Sequence, residues 1–437
     1  MEDVDLLLHP GWVVPMEPAG AVFEDHSVAV RDGALVALLP RPEAERHYRP
    51  ARVRELPGQA LMPGLVNAHT HAAMALLRGY ADDLPLMTWL TEHIWPAEQA
   101  HVSEAFVRDG TELAVVEMLR GGVTCFNDMY YFPETVAEVA SHAGMRVTVG
   151  MIVLDFPTVY ADGPDGYLER GRALHADWRD HPLVDTVLAP HAPYTVGEAS
   201  LERVRILADD LDRRVHIHLH ETAGEVADSV REHGDRPLAR LDALGLLGPR
   251  LLAVHMTQLT GDERARLAES GAHVVHCPEA NLKLASGLCP VTDLLARGVN
   301  VALGTDGAAS NNDLNLFGEL RSAALVAKAE SGDAGALPAW QALHLATLGG
   351  ARALGRDHEI GSLLPGKAAD MIAVDLSGPE AQPLHNVVSQ LAYATGRSQV
   401  TDVWIAGRPV LADRLPQTLD MPALLERVRR WRDTISA

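Results

Sequence analysis

Cysteine is scarce in this sequence, with only Cys125, Cys277 and Cys289 among 437 residues. Three irregularly spaced thiols cannot make a disulfide framework or a paired-cysteine zinc site, so these are read as buried, reduced side chains packed in a core. Cys277 lies at a strand exit, where packing is expected ahead of a pocket-lining role. Positive charge is also in short supply. Lys and Arg number 37 against 59 Asp and Glu, a formal charge of −22. Such an excess repels nucleic acid and anionic membrane surfaces, and neither is expected as a partner. No apolar run approaches the ~20 residues that span a bilayer. The opening MEDVDLLLHPGWVVP carries acids where a secretion signal needs positive charge, so a cytoplasmic location is expected. Internal repeats and low-complexity tracts are absent too.

What the chain does have is a hydrophobic content of 47%, enough for one large domain and a smaller companion. From about Pro63 to Pro365, short apolar runs alternate with amphipathic stretches eight times, the pattern of an α/β protein built as a (β/α)8 TIM-type barrel. Strands are expected near Leu61 to Asn67, Gly122 to Asn127, Arg146 to Leu154, Val184 to Ala189, Val215 to His220, Leu251 to His255, His273 to Cys277 and Asn300 to Gly304. Runs such as VALG lack polar alternation because parallel strands are buried on both faces. Between them, SEAFVRDGTELAVVEMLRGG reads as a helix with Ala105, Val107, Leu113, Val116 and Leu119 on its apolar stripe and paired glycines at its end. HSVAVRDGALVALLP and VTDVWIAGRPVLAD read as hairpins at either end of the sequence. They are too small to fold alone. Residues 1–62 and 366–437 are therefore expected to combine into a discontinuous β-sandwich with a C-terminal helix, flanking a 63–365 barrel.

The chemistry is written at the strand exits. LVNAHTH, VHIHLHE, LLAVHM and VALGTD each begin with core-forming residues and end on His69 and His71, His218 and Glu221, His255, or Asp306. Active-site groups of such barrels collect on the rim where the strands end. Side chains two apart on a strand share a face, so His69 and His71 can grip one ion together. His69, His71, His218 and Asp306 supply the nitrogen and oxygen donors of a hydrolytic zinc site, which keeps one position for a water whose pKa the ion lowers to ~7. One zinc per chain is expected, with ferrous iron or manganese as alternatives; no soft ligand set favours copper(I) or an iron–sulfur cluster. His216 and His220 share parity with His218, and His216, deeper in the strand, is read as a core or rim residue.

LMPGLVNAHTH, the His218–Glu221 pair, the histidine of AVHM, the GTDGAASNNDLN run and the closing GSLLPGKAADMIAVD together resemble the amidohydrolase superfamily. Within it the chain is similar to the nucleobase and triazine deaminases, most of all to those acting on 5'-methylthioadenosine and S-adenosylhomocysteine. The resemblance implies hydrolytic deamination of a purine nucleoside at C6, and a homodimer or homotetramer. It also implies a single metal, because TVLAPHAPYT has no lysine at the end of the fourth strand to bridge two. Asp306 would take the proton of the attacking water and pass it to the departing amine, His255 would orient that water, and Glu221 would protonate the purine N1. His191 and Glu98 would contact substrate, Glu98 through ribose hydroxyls. Trp89, in the loop RGYADDLPLMTWLTEHIWPAEQ after the first strand, would stack on the base or pack within a lid. The stretch MIVLDFPTVYADGPDG lacks the arginines that meet the charged tail of a longer substrate, which favours 5'-methylthioadenosine or adenosine over S-adenosylhomocysteine. The rival readings are deamination of a free base (guanine, 8-oxoguanine or cytosine), hydrolysis of a triazine, and a non-catalytic scaffold that kept the fold.

Overall fold

The computed structural model describes residues 1–436. The first five strands are β1 (Glu2–Val13), β2 (Phe23–Glu24), β3 (His26–Arg31), β4 (Ala34–Pro40) and β5 (Tyr48–Pro63). The β3–β4 hairpin turns at Asp32 and Gly33, whose φ values of 52° and 77° match the left-handed geometry that an Asp-Gly turn favours. Eight barrel strands follow: β6 (Leu65–Thr70), β7 (Val123–Asp128), β8 (Arg146–Val153), β9 (Val184–Pro190), β10 (Val215–Leu219), β11 (Leu251–His255), β12 (His273–His276) and β13 (Val301–Leu303). Four more close the chain: β14 (Met371–Asp375), β15 (Val400–Ile405), β16 (Arg408–Ala412) and β17 (Leu415–Pro416).

The terminal strands form one nine-stranded mixed sheet in the order β17-β16-β15-β14-β5-β1-β3-β4, with β2 on β1. Antiparallel pairing of β5 with β14, Leu61 opposite Ala373, joins the two ends of the sequence. The expected sandwich is thus a single sheet folded over itself. Leu8, Val28, Leu56, Met371 and Trp404 share one core inside the fold, and the β3–β4 turn is stitched to the segment just before β14 by the Ala369 N–H donating to the Gly33 carbonyl.

Strands β6 to β13 pair in sequence order, all in parallel. Every residue of β6, β7 and β8 is buried, as strands covered on both faces must be. The run expected as one strand over Leu61 to Asn67 is divided: Leu61 to Pro63 end β5, and the chain enters the barrel only after Gly64. A Cβ at Gly64 would lie 2.1 Å from Thr124 Oγ1, so only glycine lets the chain cross so close to β7. The barrel closes between β6 and β13, where Asn67 Oδ1 accepts from the Thr305 N–H at 3.0 Å and the His69 carbonyl accepts from the Asp306 N–H at 3.1 Å.

The helix Glu104–Arg120 is capped by Ser103 and ends at Gly121. Val107, Val116 and Leu119 of the expected stripe are buried, Leu113 is half-buried and Ala105 is exposed, and Phe106, Ala114, Val115 and Met118 widen the buried face. The C-terminal helix Met421–Ile435 covers Phe106: Trp431 packs on it with ring centroids 5.3 Å apart and donates to Asp109. Cys277 is buried in the core cluster around Val254 and Val275, as a packing thiol.

Candidate metal centre and active site

The strand exits bring His69, His71, His218 and Asp306 together, with one ligand atom from each lying within 4.8 Å of all the others. Closure of β6 against β13 sets His69 beside Asp306: a Cβ at Gly304 would come within 2.8 Å of the His69 Cβ, so a larger residue would pry the two apart. Asp306 Oδ1 is 3.3 Å from His69 Nε2 and 3.2 Å from His71 Nε2. Asp306 itself has a φ of 59° and His255 of 75°, left-handed values that non-glycine residues seldom adopt and that turn these side chains onto the rim.

The donor set fits a cation by its own hydrogen-bond logic. His71 Nδ1 lies 2.6 Å from the Met129 carbonyl oxygen and His218 Nδ1 lies 2.7 Å from that of His191, so both rings carry their proton on Nδ1. Their Nε2 lone pairs then face each other at 3.3 Å, and His69 Nε2 is buried with no hydrogen-bond partner. Lone pairs converging in this way repel unless a positive charge sits between them, which is how carbonyl-oriented histidines serve a metal. Without an ion, a proton drawn to His71 supplies the positive charge that the cluster calls for. Burial, only partly offset by Asp306, drops His69 to about 4. Burial also works against the His71 imidazolium, yet the Asp306 carboxylate lifts it to about 9. For Asp306 burial pushes upward, but the His69 and His71 contacts hold it well below the usual carboxylate range.

Glu221 and His255 stand beside this quartet, their Oε2 and Nε2 3.9 Å apart. Burial raises the Glu221 carboxyl above its ordinary value, with Asp306 adding to the effect. His255 Nδ1 is 2.8 Å from Asn281 Oδ1, which leaves Nε2 toward the cavity. His191, just past β9, presents its ring to His218 at 4.9 Å between centroids and its Nδ1 to Thr195 Oγ1 at 2.9 Å. Burial and the neighbouring His71 and His69 take it down to about 3, so its ring is neutral.

His71, His191, His218, Glu221, His255 and Asp306 line one cavity, and His69 does not reach its surface. Its wall comes from the segment after β6: a short helix Leu86–Thr88, a π-helical turn Trp89–Ile94 and a helix Trp95–His101. A π turn shifts the side chains that follow it, and Glu98 enters the cavity from the helix beyond it. Glu98 is 8% exposed, accepts a hydrogen bond from the Tyr130 hydroxyl at 2.7 Å, and is pushed by burial to about 7. Trp89 lines the cavity with its indole N–H tied to the Ala81 carbonyl at 3.1 Å, so only its ring face is offered. Lid packing and cavity lining are thus both met in one side chain. Among the described residues, none of those lining the cavity is Lys or Arg.

Several contributors are absent from the sequence reading. Tyr130 and Tyr131 line the cavity directly after β7, where an aromatic pair at a strand exit (FNDMYY) is the signal. Tyr194 lines it from HAPYT. Ser310 Oγ donates to Asp306 Oδ2 at 2.8 Å. Glu225 accepts from the His220 and Glu221 backbone N–H groups at 3.1 and 2.6 Å, fixing the turn that aims Glu221; the Thr222-x-x-Glu225 spacing of a helix cap marks it. His216, read as core or rim, is fully buried with Nε2 2.9 Å from His69 Nδ1, so it orients a ligand from behind. His220 turns away and holds the Leu238 N–H at 3.0 Å.

Comparison with known proteins agrees with this geometry. The model of the amidohydrolase family matches residues 60–410. A protein of Teredinibacter turnerae, named 5-methylthioadenosine/S-adenosylhomocysteine deaminase, is 49% identical over 434 residues, covering 99% of this chain and 98% of the relative. A Saccharophagus degradans protein of the same name is 46% identical over 99% of this chain and 97% of its own length. Among solved structures, an adenosine deaminase from Xanthomonas campestris with bound zinc superposes with a TM-score of 0.99 at 58% identity, covering 100% of this chain and 99% of the other. Four rim residues gathered on one point, inside a barrel matched over most of its length by that family model, place this chain in the amidohydrolase family.

Proposed function

We propose that the protein is a zinc-dependent aminohydrolase that converts 5'-methylthioadenosine and adenosine to the inosine counterpart and ammonia, with S-adenosylhomocysteine a poorer substrate. One observation carries the reading: a quartet suited to one metal and the Glu221–His255 pair share a cavity with a buried carboxylate, Glu98, braced by Tyr130. A bound zinc ion would supply a Lewis acid that brings a coordinated water to a pKa of about 7. His69, His71, His218 and Asp306 would hold it. Relatives named for 5-methylthioadenosine and S-adenosylhomocysteine deamination, and a zinc-containing adenosine deaminase at 58% identity, support both substrate class and metal.

The side chains divide the work by their environments. Glu221, favoured in its protonated form by burial, donates to N1 of the purine as the attacking water adds to C6, and recovers a proton from the C6 hydroxyl as the C–N bond breaks and the carbonyl forms. Asp306, kept anionic, accepts the proton of that water and returns it to the departing amine. His255 orients the water through Nε2, its other nitrogen fixed by Asn281. Glu98 Oε1 is already engaged by Tyr130, which leaves Oε2 to accept from a ribose hydroxyl. Trp89 and the tyrosines offer ring faces for a purine. A cavity without Lys or Arg gives the carboxylate on the amino-acid tail of S-adenosylhomocysteine no counter-ion, whereas a neutral 5' group needs none.

The functional units proposed are the 63–365 barrel and the 1–62 plus 366–437 flank. A homodimer or homotetramer working in the cytoplasm is proposed with them; among the described residues no helix is long and apolar enough to cross a membrane. Initial rates on adenosine, 5'-methylthioadenosine, S-adenosylhomocysteine, guanine, cytosine and a chlorotriazine test the reading. The two neutral nucleosides are expected to lead, and equal or faster turnover of a free base or the triazine would overturn it.

A further inference from the structure

Glu319 lies on the helix Leu316–Ser331, outside the cavity and fully buried. A carboxyl in such a place must satisfy buried donors, because an unpaired polar group there costs heavily. Its two oxygens serve two different elements. Oε1 accepts from Asn311 Nδ2, and Oε2 accepts from the Glu279 N–H at 3.1 Å. Asn311 belongs to the loop that leaves Asp306: its side chain also holds the Thr305 carbonyl at 2.8 Å, and its neighbour Ser310 donates to Asp306 Oδ2 at 2.8 Å. Glu279 opens the short helix Pro278–Lys283, which carries Asn281 to its contact with His255.

We infer that Glu319 is a positioning residue that clamps the Asp306 loop and the His255-orienting helix to each other, so that metal ligand and water-orienting imidazole keep one relative geometry. The inference rests on the reading of Asp306 and His255 given above. An apolar residue of equal size would leave one Asn311 amide hydrogen and the Glu279 N–H without acceptors. Glutamine keeps the shape and one acceptor but turns an NH2 toward the other donor, so Glu319→Gln opens one arm of the clamp. Asn311→Ala opens the Asp306 arm alone.

Two measurements separate the clamp from general packing and from the assigned activity. The first is the rate at which zinc-loaded protein yields its metal to a chelator, which needs no substrate. Release is expected to be roughly tenfold faster in both variants, the scale on which partners behind a metal ligand act. The second is steady-state turnover of adenosine in zinc-saturated protein, where kcat is expected to fall roughly 10- to 100-fold with KM within about twofold, as for misplaced reacting groups. Unchanged release in both variants overturns the clamp, and faster release with unchanged kcat overturns its His255 arm. If Glu319→Gln does not fold, Asn311→Ala decides by the same two readings. Inactivity of the wild type on adenosine would remove the deaminase reading, while the release rates would still test the clamp.

Discussion

Replacing Glu98 by Gln should make the protein more stable and a poorer enzyme for the same physical reason. The carboxyl is 8% exposed, and burial carries it from 4.5 to about 7. For an acid whose folded pKa lies above the unfolded one, the fold binds the proton more tightly. Its stabilising contribution is therefore complete below pH 4.5, falls as pH rises from there to about 7, and stays lost above. The gap corresponds to about 3 kcal/mol of penalty borne at pH 8 by the wild type. Glu98→Gln cannot titrate, so in metal-free protein it should gain on the wild type by up to about 3 kcal/mol between pH 4.5 and 8, read from denaturant midpoints. The functional cost comes from the lost anionic acceptor for ribose. A hydrogen bond to a charged group contributes about 1.5–3 kcal/mol, so kcat/KM for adenosine should drop roughly 10- to 100-fold. A substrate lacking both the 2' and 3' hydroxyls should be nearly indifferent to the change. Equal losses on adenosine and the dideoxynucleoside would falsify the ribose role, and a flat stability difference across that pH range would refute the burial argument.

Other outcomes follow from the same geometry. Glu221→Gln should retain a full equivalent of zinc while turnover falls about 100-fold or more, the loss expected of a general acid; near-normal rates with metal bound would remove Glu221 from the proton path. Asp306→Ala should lower both metal content and rate, since it deletes a ligand and the carboxylate that balances His69 and His71; metal analysis after dialysis checks it. Stripping the metal from the wild type should reduce its melting temperature, because converging Nε2 lone pairs then lose the charge between them; an unchanged melting curve would argue that the quartet binds no ion.

The barrel was legible because buried parallel strands need uninterrupted apolar runs, and seven of the eight expected strands fall within about two residues of their observed bounds. The eighth, Leu61 to Asn67, failed for a packing reason: Gly64 marks the crossing from β5 to β6 against Thr124, and nothing local tells an apolar run that it serves two sheets. Ligand histidines and carboxylates were legible because chemistry at strand exits leaves polar residues where core would otherwise continue. Glu225 was within reach of its capping spacing. Glu319 was not, since a lone carboxyl in an amphipathic helix looks like surface until its neighbours are known.

Sequence alone determined which residues end the strands, that eight strand and helix units repeat, and that hard nitrogen and oxygen donors are available in a chain poor in thiols and basic charge. Tertiary structure decided what those residues face. Closing β6 against β13 put His69 against Asp306, the lid beyond β6 swung Glu98 onto Tyr130, and His216 became a support for a ligand rather than a ligand. These outcomes depend on contacts between residues tens to hundreds of positions apart, whose distances and burial exist only once the chain has folded around them.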